Sequence, residues 1–348
     1  MEKRKKRWPL RNCVWELTLA CPFHCAYCGS GGGTARKGEL TGEACMRVVR
    51  SLKTLGCRRV SLIGGEVFLH PDWQKIASAL HANGMRVCII TNGYRMTPEI
   101  VKGLLHAQIE SVAVSVDGPK EAHDRFRQPG SFSEAIGTIE TLAGAGIPAS
   151  AISALRADNV PLLPQLFEIL RKYPLYAWQL QACSPMGNAR LNGLQVKFSA
   201  KEVMDFVRGT APVSTFPIGI ADNIGYCTPD DAVLRGGCFT GCSAGLTMVG
   251  IDSVGNVRGC ESMYDARFIE GNVKDRPLEE IWTDENAFAY NRRFTPDKLT
   301  GACAECKYGG RCGGGCRSYN YFANNGKLYE SPVCISGKNA SAARMDRE

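Results

Sequence analysis

Apolar residues in the first half of the chain follow two alternating rhythms. Short runs rich in β-branched residues occur at 14–20, 59–63, 86–91, 111–116, 149–154 and 177–181. Between them, at 42–55, 73–81, 98–106, 132–145 and 160–171, apolar positions recur three and four residues apart. The first pattern fits strands, the second helices that bury one face. Strand and helix alternating in this way predict a parallel sheet with right-handed crossovers. A curved, partial (β/α)6 barrel of the TIM type fits the six strands, and such barrels carry their chemistry at the C-terminal ends of the strands.

After about residue 200 the rhythm stops. Glycine and cysteine crowd together, most densely at 303–316, and residues 199–227 read as a connecting helix plus loop. A region this poor in periodic apolar positions cannot build an ordinary core and calls for metal staples. The α/β chain therefore divides into a basic tail (1–13), a barrel (14–198), a connecting helix and loop (199–236) and a cysteine-rich domain (237–348). No repeat or low-complexity segment is visible, and the chain after Cys334 is a short polar end.

At 348 residues there is length for two domains and a substantial core. The unusual count is cysteine, at 17. The charged stretch Met1 to Arg7 is followed by no apolar signal-peptide region, and no run is long enough to span a membrane. Many cysteines without an export signal argue for metal ligation in a reducing, cytoplasmic setting and against disulfides. The net charge of +8 comes partly from Lys3 to Arg7. That run is a solvated terminus or a dock for an acidic peptide. Without a basic stripe interleaved with aromatics, nucleic-acid binding is not expected.

Three cysteines then change the picture. Cys21, Cys25 and Cys28, separated by three and two residues, follow the first predicted strand. Such a run can wrap one face of a cubane iron–sulfur cluster, which four cysteines usually hold. One iron is left open for a cofactor, much as a catalytic zinc keeps an open position. A structural zinc knuckle is the alternative, with His24 as an awkward fourth ligand. The spacing, Tyr27 before the last cysteine and the preceding strand together resemble the radical S-adenosylmethionine (SAM) superfamily.

The resemblance gives roles to further segments. Gly64-Gly65-Glu66 stands where that family binds the amino group of SAM, although Val67 replaces the family's proline. Ser115 and Asp117 resemble a ribose-binding segment, their side chains falling on one face. Asn92, at the end of the third strand, and Gln181, at the end of the sixth, are placed beside the cofactor. Arg125 or Arg127 is expected at the SAM carboxylate.

The later cysteines resemble the SPASM extension of radical SAM peptide-modifying enzymes: Cys242, Cys260, then Cys303, Cys306, Cys312, Cys316 and finally Cys334, with Cys238 as an eighth thiol. Eight thiolates suit two fully ligated [4Fe–4S] clusters. The resemblance assigns Cys238, Cys242, Cys260 and Cys316 to an inner cluster and the other four to an outer one, three clusters in all with the first. Zinc ribbons also use such pairs. Cys45, Cys57 and Cys88 read as buried apolar filler, and Cys13 has no reading. Cys183 and Cys227 are expected beside the cavity, as bland structural residues or hydrogen-atom donors.

This family implies an oxidoreductase that cleaves SAM to a 5′-deoxyadenosyl radical and takes hydrogen from a ribosomally made precursor peptide. An electron comes from a flavodoxin- or ferredoxin-type donor. With the first strand at residue 14 there is no room for a leader-binding domain, so a separate leader-binding protein is expected. An anaerobic sulfatase-maturing enzyme is the alternative, with Glu261 after Cys260 as its base. A non-catalytic iron–sulfur carrier is the third reading.

Overall fold

The computed structural model describes residues 8–221 and 223–335; the basic run Lys3 to Arg7 lies outside them. Ten strands form one sheet: β1 (Asn12–Glu16), β2 (Arg59–Ile63), β3 (Arg86–Thr91), β4 (Ser111–Ser115), β5 (Ala149–Leu155), β6 (Ala177–Ala182), β7 (Ile218–Ile220), β8 (Met248–Ile251), β9 (Asn256–Arg258) and β10 (Gly271–Asn272). Their order is β10-β9-β8-β1-β2-β3-β4-β5-β6-β7. Strands β1 to β7 run parallel in sequence order, as a partial barrel requires.

Burial alternates along the strands. Trp15, Val60, Leu62, Val87, Ile89, Val112 and Val114 are sealed against the helices, while Val14, Ser61, Cys88 and Ala113 on the other face are half-buried. Each fully buried aliphatic side chain contributes about 1.5–3 kcal/mol. The predicted helices form as Gly42–Thr54, Trp73–Ala82, Pro98–His106, Ser131–Gly144 and Leu163–Leu170. Thr41 and Thr97 cap the first and third through their hydroxyl oxygens. Lys120–Phe126 is a further helix, too short to show a period in the sequence.

Two differences from the sequence reading matter. The first strand ends at Glu16, not at residue 20. Beyond Leu17 the carboxylate of Glu39 takes the N–H of Leu19 (2.8 Å) and the hydroxyl of Thr18 (2.8 Å), so the neighbouring strand no longer pairs. The segment 199–236, expected as helix and loop, also supplies β7 to the sheet. Strand β8, from the cysteine-rich region, pairs parallel with β1 on its other side. Gly250 in β8 has no room for a Cβ, because the Cys260–Glu261 backbone crosses it. The cysteine-rich region is thereby fixed to the barrel through main-chain hydrogen bonds.

Candidate functional site

The Cys21–Cys28 loop is held from several sides. The N–H of Glu66 donates to Ala20 O (2.7 Å), and the N–H of Ala26 to Phe126 O (2.8 Å). After β6, Asn188 donates its backbone N–H to Cys28 O (2.9 Å) and its amide to Cys25 O (3.0 Å). The sulfurs themselves receive donors: Phe23 N–H (3.4 Å) and the Asn92 amide (3.5 Å) at Cys21, and Gly32 N–H (3.2 Å) at Cys28. Glycine is required where the loops touch. A Cβ on Gly65 would strike Leu19 O and Ala20 O, and one on Gly64 would lie 2.5 Å from Thr18 O.

Glu66 is the junction of the second and third strands. Fully buried, it accepts from the Thr91 hydroxyl (2.8 Å) and from the N–H of Asn92 (2.9 Å). Burial pushes its carboxyl up to about 7, against the pull of those two donors. Glu66, Asn92 and Cys21 thus form one chain of contacts.

A second cluster surrounds Asp117. Its Oδ2 accepts from Arg127 Nε (2.5 Å) and from the Tyr27 hydroxyl, and its Oδ1 accepts from Ala154 N–H (2.8 Å). Burial opposes this charge, but Arg127, His123 and Arg156 outweigh it and hold the carboxyl at about 2. Asp117 is therefore engaged by protein groups, whereas the sequence reading gave it to a diol. Ser115 ends β4 two residues before it, and Gln181 in β6 stands opposite Ala154 in β5. Of the two arginines, Arg127 reaches this site; Arg125 is exposed and pairs with Asp158 (3.6 Å). Arg156, which nothing in the sequence signalled, is 1% exposed along its side chain and lies over the Tyr27 ring at 4.6 Å. Cys183 packs against Tyr27 and Ala154.

The C-terminal thiols gather in two places. Around the inner one, Cys242 lies near enough to Cys260 and Cys316 to raise the pKa of both. Burial pushes Cys260 up to about 12. Cys303, Cys306, Cys312 and Cys334 line a second cavity. Cys227 lines that same cavity, away from the barrel mouth where the sequence placed it. Cys238, expected at the inner site, is exposed.

A model of the radical SAM superfamily matches residues 15–166, and a model of SPASM, an iron–sulfur cluster-binding domain, matches residues 242–307. Together they take in more than half of the chain. It is a radical SAM/SPASM enzyme. An AdoMet-dependent heme synthase of Methanosarcina barkeri is 29% identical over 351 residues, covering 93% of this chain and 96% of that protein. Mycofactocin maturase MftC of Mycobacterium ulcerans is 28% identical over 352 residues, covering 96% of this chain and 90% of that one. Among solved structures, Streptococcus suis SuiB bound to S-adenosylmethionine aligns with a TM-score of 0.75 at 16% identity, over 94% of this chain and 77% of that one. Native anSMEcpe with bound AdoMet gives 0.72 at 16% identity, over 97% and 95%. At that identity the two structures establish the fold.

The residues of this radical SAM/SPASM chain fit its cofactors, a [4Fe–4S] cluster and SAM. Burial pushes the Cys21 thiol up to about 12, so a bare thiolate there is unfavourable until iron supplies positive charge. The N–H donors at the sulfurs are the kind that stabilise and tune such clusters. Among the described residues no three His, Cys, Asp or Glu side chains converge as ligands of a single ion do. Beside Cys260, Glu261 is buried with neither carboxyl oxygen hydrogen-bonded in the protein. Its surroundings are Glu16, Asp252, Arg36 and Arg258, the last 3.9 Å from Oε1. Burial, then Glu16, pushes this carboxyl well above its ordinary range.

Proposed function

We propose that this enzyme modifies a ribosomally made precursor peptide, at a side chain or along the backbone. The observation that supports this most is the near end-to-end match to the mycofactocin maturase of Mycobacterium ulcerans, 96% of this chain and 90% of that one, on the fold of SuiB, which has been solved with its precursor peptide SuiA. Cys21, Cys25 and Cys28 would hold the SAM-binding cluster, leaving one iron open. When bound, cluster and SAM supply a radical that abstracts hydrogen.

The protein's own residues orient and shield. Glu66 accepts the amino group of SAM, and Asn92 links that contact to the Cys21 sulfur. Tyr27, Ser115 and Gln181 border the nucleoside. Asp117 acts one step back, holding Tyr27 and Arg127, and Arg127 takes the carboxylate role in preference to Arg125. Cys238, Cys242, Cys260 and Cys316 would hold the inner auxiliary cluster, the exposed Cys238 turning inward as it binds; Cys303, Cys306, Cys312 and Cys334 hold the outer one. Burial holds the Glu261 carboxyl well above its ordinary range, so a base role requires it to ionise against that burial, with Arg258 as the cation beside it. A flavodoxin- or ferredoxin-type reductant and a separate leader-binding protein in the cytoplasm complete the system.

A second reading has a specific basis: the heme synthase similarity of 29% points to a heme-forming reaction. One experiment separates the two. Anaerobic enzyme with SAM and dithionite is given either the peptide encoded beside its gene, with any small partner protein, or iron-coproporphyrin. A mass change in the peptide alone supports the proposal; newly formed heme and unchanged peptide would overturn it.

A further inference from the structure

The outer cysteine site contains one thiol more than a cubane cluster has corners. Cys303, Cys306 and Cys312 reach it from a single stretch bounded by the short helical turns Gly301–Cys303 and Gly309–Cys312, so their relative positions are set together. Cys334 and Cys227 arrive separately, from opposite directions along the chain.

Cys227 is placed there by construction. Gly225 and Cys227 both have φ of 52°, a region that residues with a Cβ avoid. Strain of this kind persists where the surroundings fix it, and it marks positions with a task. Here the clamp is Tyr226: its hydroxyl accepts the Cys316 N–H at 3.2 Å, and its ring lies 4.7 Å from that of Phe239. A Cβ on Gly315 would sit 2.6 Å from the same ring, so that turn is closed around it. Tyr226 stands between the two sites, its hydroxyl at Cys316 and its side chain lining the outer cavity, and the next residue, Cys227, lines that cavity beside it. The Cys227 thiol, 5% exposed, donates to Phe239 O (3.7 Å), and the Arg311 guanidinium, adjoining Cys312 in sequence, hydrogen-bonds its sulfur.

We propose that Cys227 is a fifth thiolate of the outer iron–sulfur site, able to hold the iron corner otherwise taken by Cys334. This rests on the reading that these cysteines bind an auxiliary cluster. The exchange leaves electrons and charge balanced: the Cys227 thiol releases its proton as its Fe–S bond forms, and the departing Cys334 thiolate takes one up.

Iron content and low-temperature EPR of the anaerobically reconstituted full chain test it. About twelve irons are expected in wild type and in Cys334→Ala, with the outer cluster's EPR signal shifted in the variant. Cys227→Ala should also keep about twelve, and the double variant should fall to about eight. Cys334→Ala falling to about eight on its own overturns the proposal without requiring the double variant to fold. A double variant that keeps all its iron overturns it as well. Wild type with only about eight irons would remove the outer cluster itself, and the reading beneath the proposal with it.

Discussion

In the barrel, Cys21, Cys25 and Cys28 ride on a loop gripped by strands, by Asn188 and by Phe126, all part of a packed sheet-and-helix body. In the cysteine-rich region, Cys303 to Cys316 sit among short helical turns and left-handed glycines, Gly313, Gly314 and Gly315 in a row. The first region has its geometry before iron arrives. The second is held by Tyr226, Tyr319, the β8 pairing, and the buried Arg317 and Asn320, which donate to the carbonyls of Gly313, Gly314 and Leu328, and the metal supplies the rest. Preorganisation suits a site that must aim a radical, whereas a site that only carries electrons can be assembled by its cargo.

The sharpest way to break this comparison is to delete the barrel thiols. Cys21→Ala/Cys25→Ala/Cys28→Ala should abolish SAM cleavage and remove about a third of the iron, with far-UV circular dichroism unchanged. Retained cleavage would sink the assignment, and a collapsed spectrum would mean that the barrel depends on its cluster as much as the other region does. Next in size is removal of all iron by anaerobic chelation. Hydrogen exchange should then rise by orders of magnitude at residues 226–246 and 296–335, while β2 to β5 stay protected. Equal loss of protection in both regions would erase the distinction.

The same contrast explains what could be read in advance. The barrel was legible because strands such as β2, β3 and β6 carry period-two burial and its helices a 3.6-residue period; β2 and β3 begin and end where the pattern placed them. β7 and β8, at three and four residues, were too short to show a period, and the parallel pairing of β8 with β1 is a long-range fact that no local pattern carries. For the site, the cysteine spacings and Gly64-Gly65-Glu66 carried the chemistry. Asp117 was noticed, but not its protein partners, because Arg127, Tyr27 and Ala154 come from three separate segments. Cys227 was misplaced because only the fold shows that the turn at Gly225 faces the outer cysteines. The pair Gly187-Asn188 was the one available signal for the clasp on Cys28, since a left-handed glycine there lets the backbone touch Gly29 O.

A smaller effect sharpens the preorganised side. Glu66→Gln keeps the shape but removes the charge, and a hydrogen bond to a charged group is worth about 1.5–3 kcal/mol. SAM affinity by calorimetry should drop roughly ten- to hundredfold. With the Glu66 carboxyl at about 7, an amino group from SAM will favour its ionised form, so binding should release protons near neutrality and tighten from about pH 6 to about pH 8. The Gln variant should lose both trends. Unchanged affinity and an unchanged proton count would leave Glu66 as a turn residue.

The smallest expected effect lies where the two regions meet. Glu261 is enclosed between β1, β8 and Cys260 with no hydrogen bond to either oxygen, beside Glu16 and Asp252. Its folded pKa stands well above 4.5, the ordinary value it regains on unfolding. The folded chain therefore keeps a proton that the unfolded chain gives up. Glu261 costs no stability below about pH 4, and stability is lost as pH rises from there toward the folded pKa. Glu261→Gln is neutral throughout, so its denaturation midpoint, measured anaerobically, should fall less steeply with pH. The variant should gain on wild type as pH rises above about 5, by at most about 1.4 kcal/mol per pH unit. Full iron content in the variant would show that the gain does not come from the cluster. Identical pH slopes would mean that Arg258 and Arg36 already keep Glu261 ionised, and the carboxylate would then stand ready as a base without first giving up a proton.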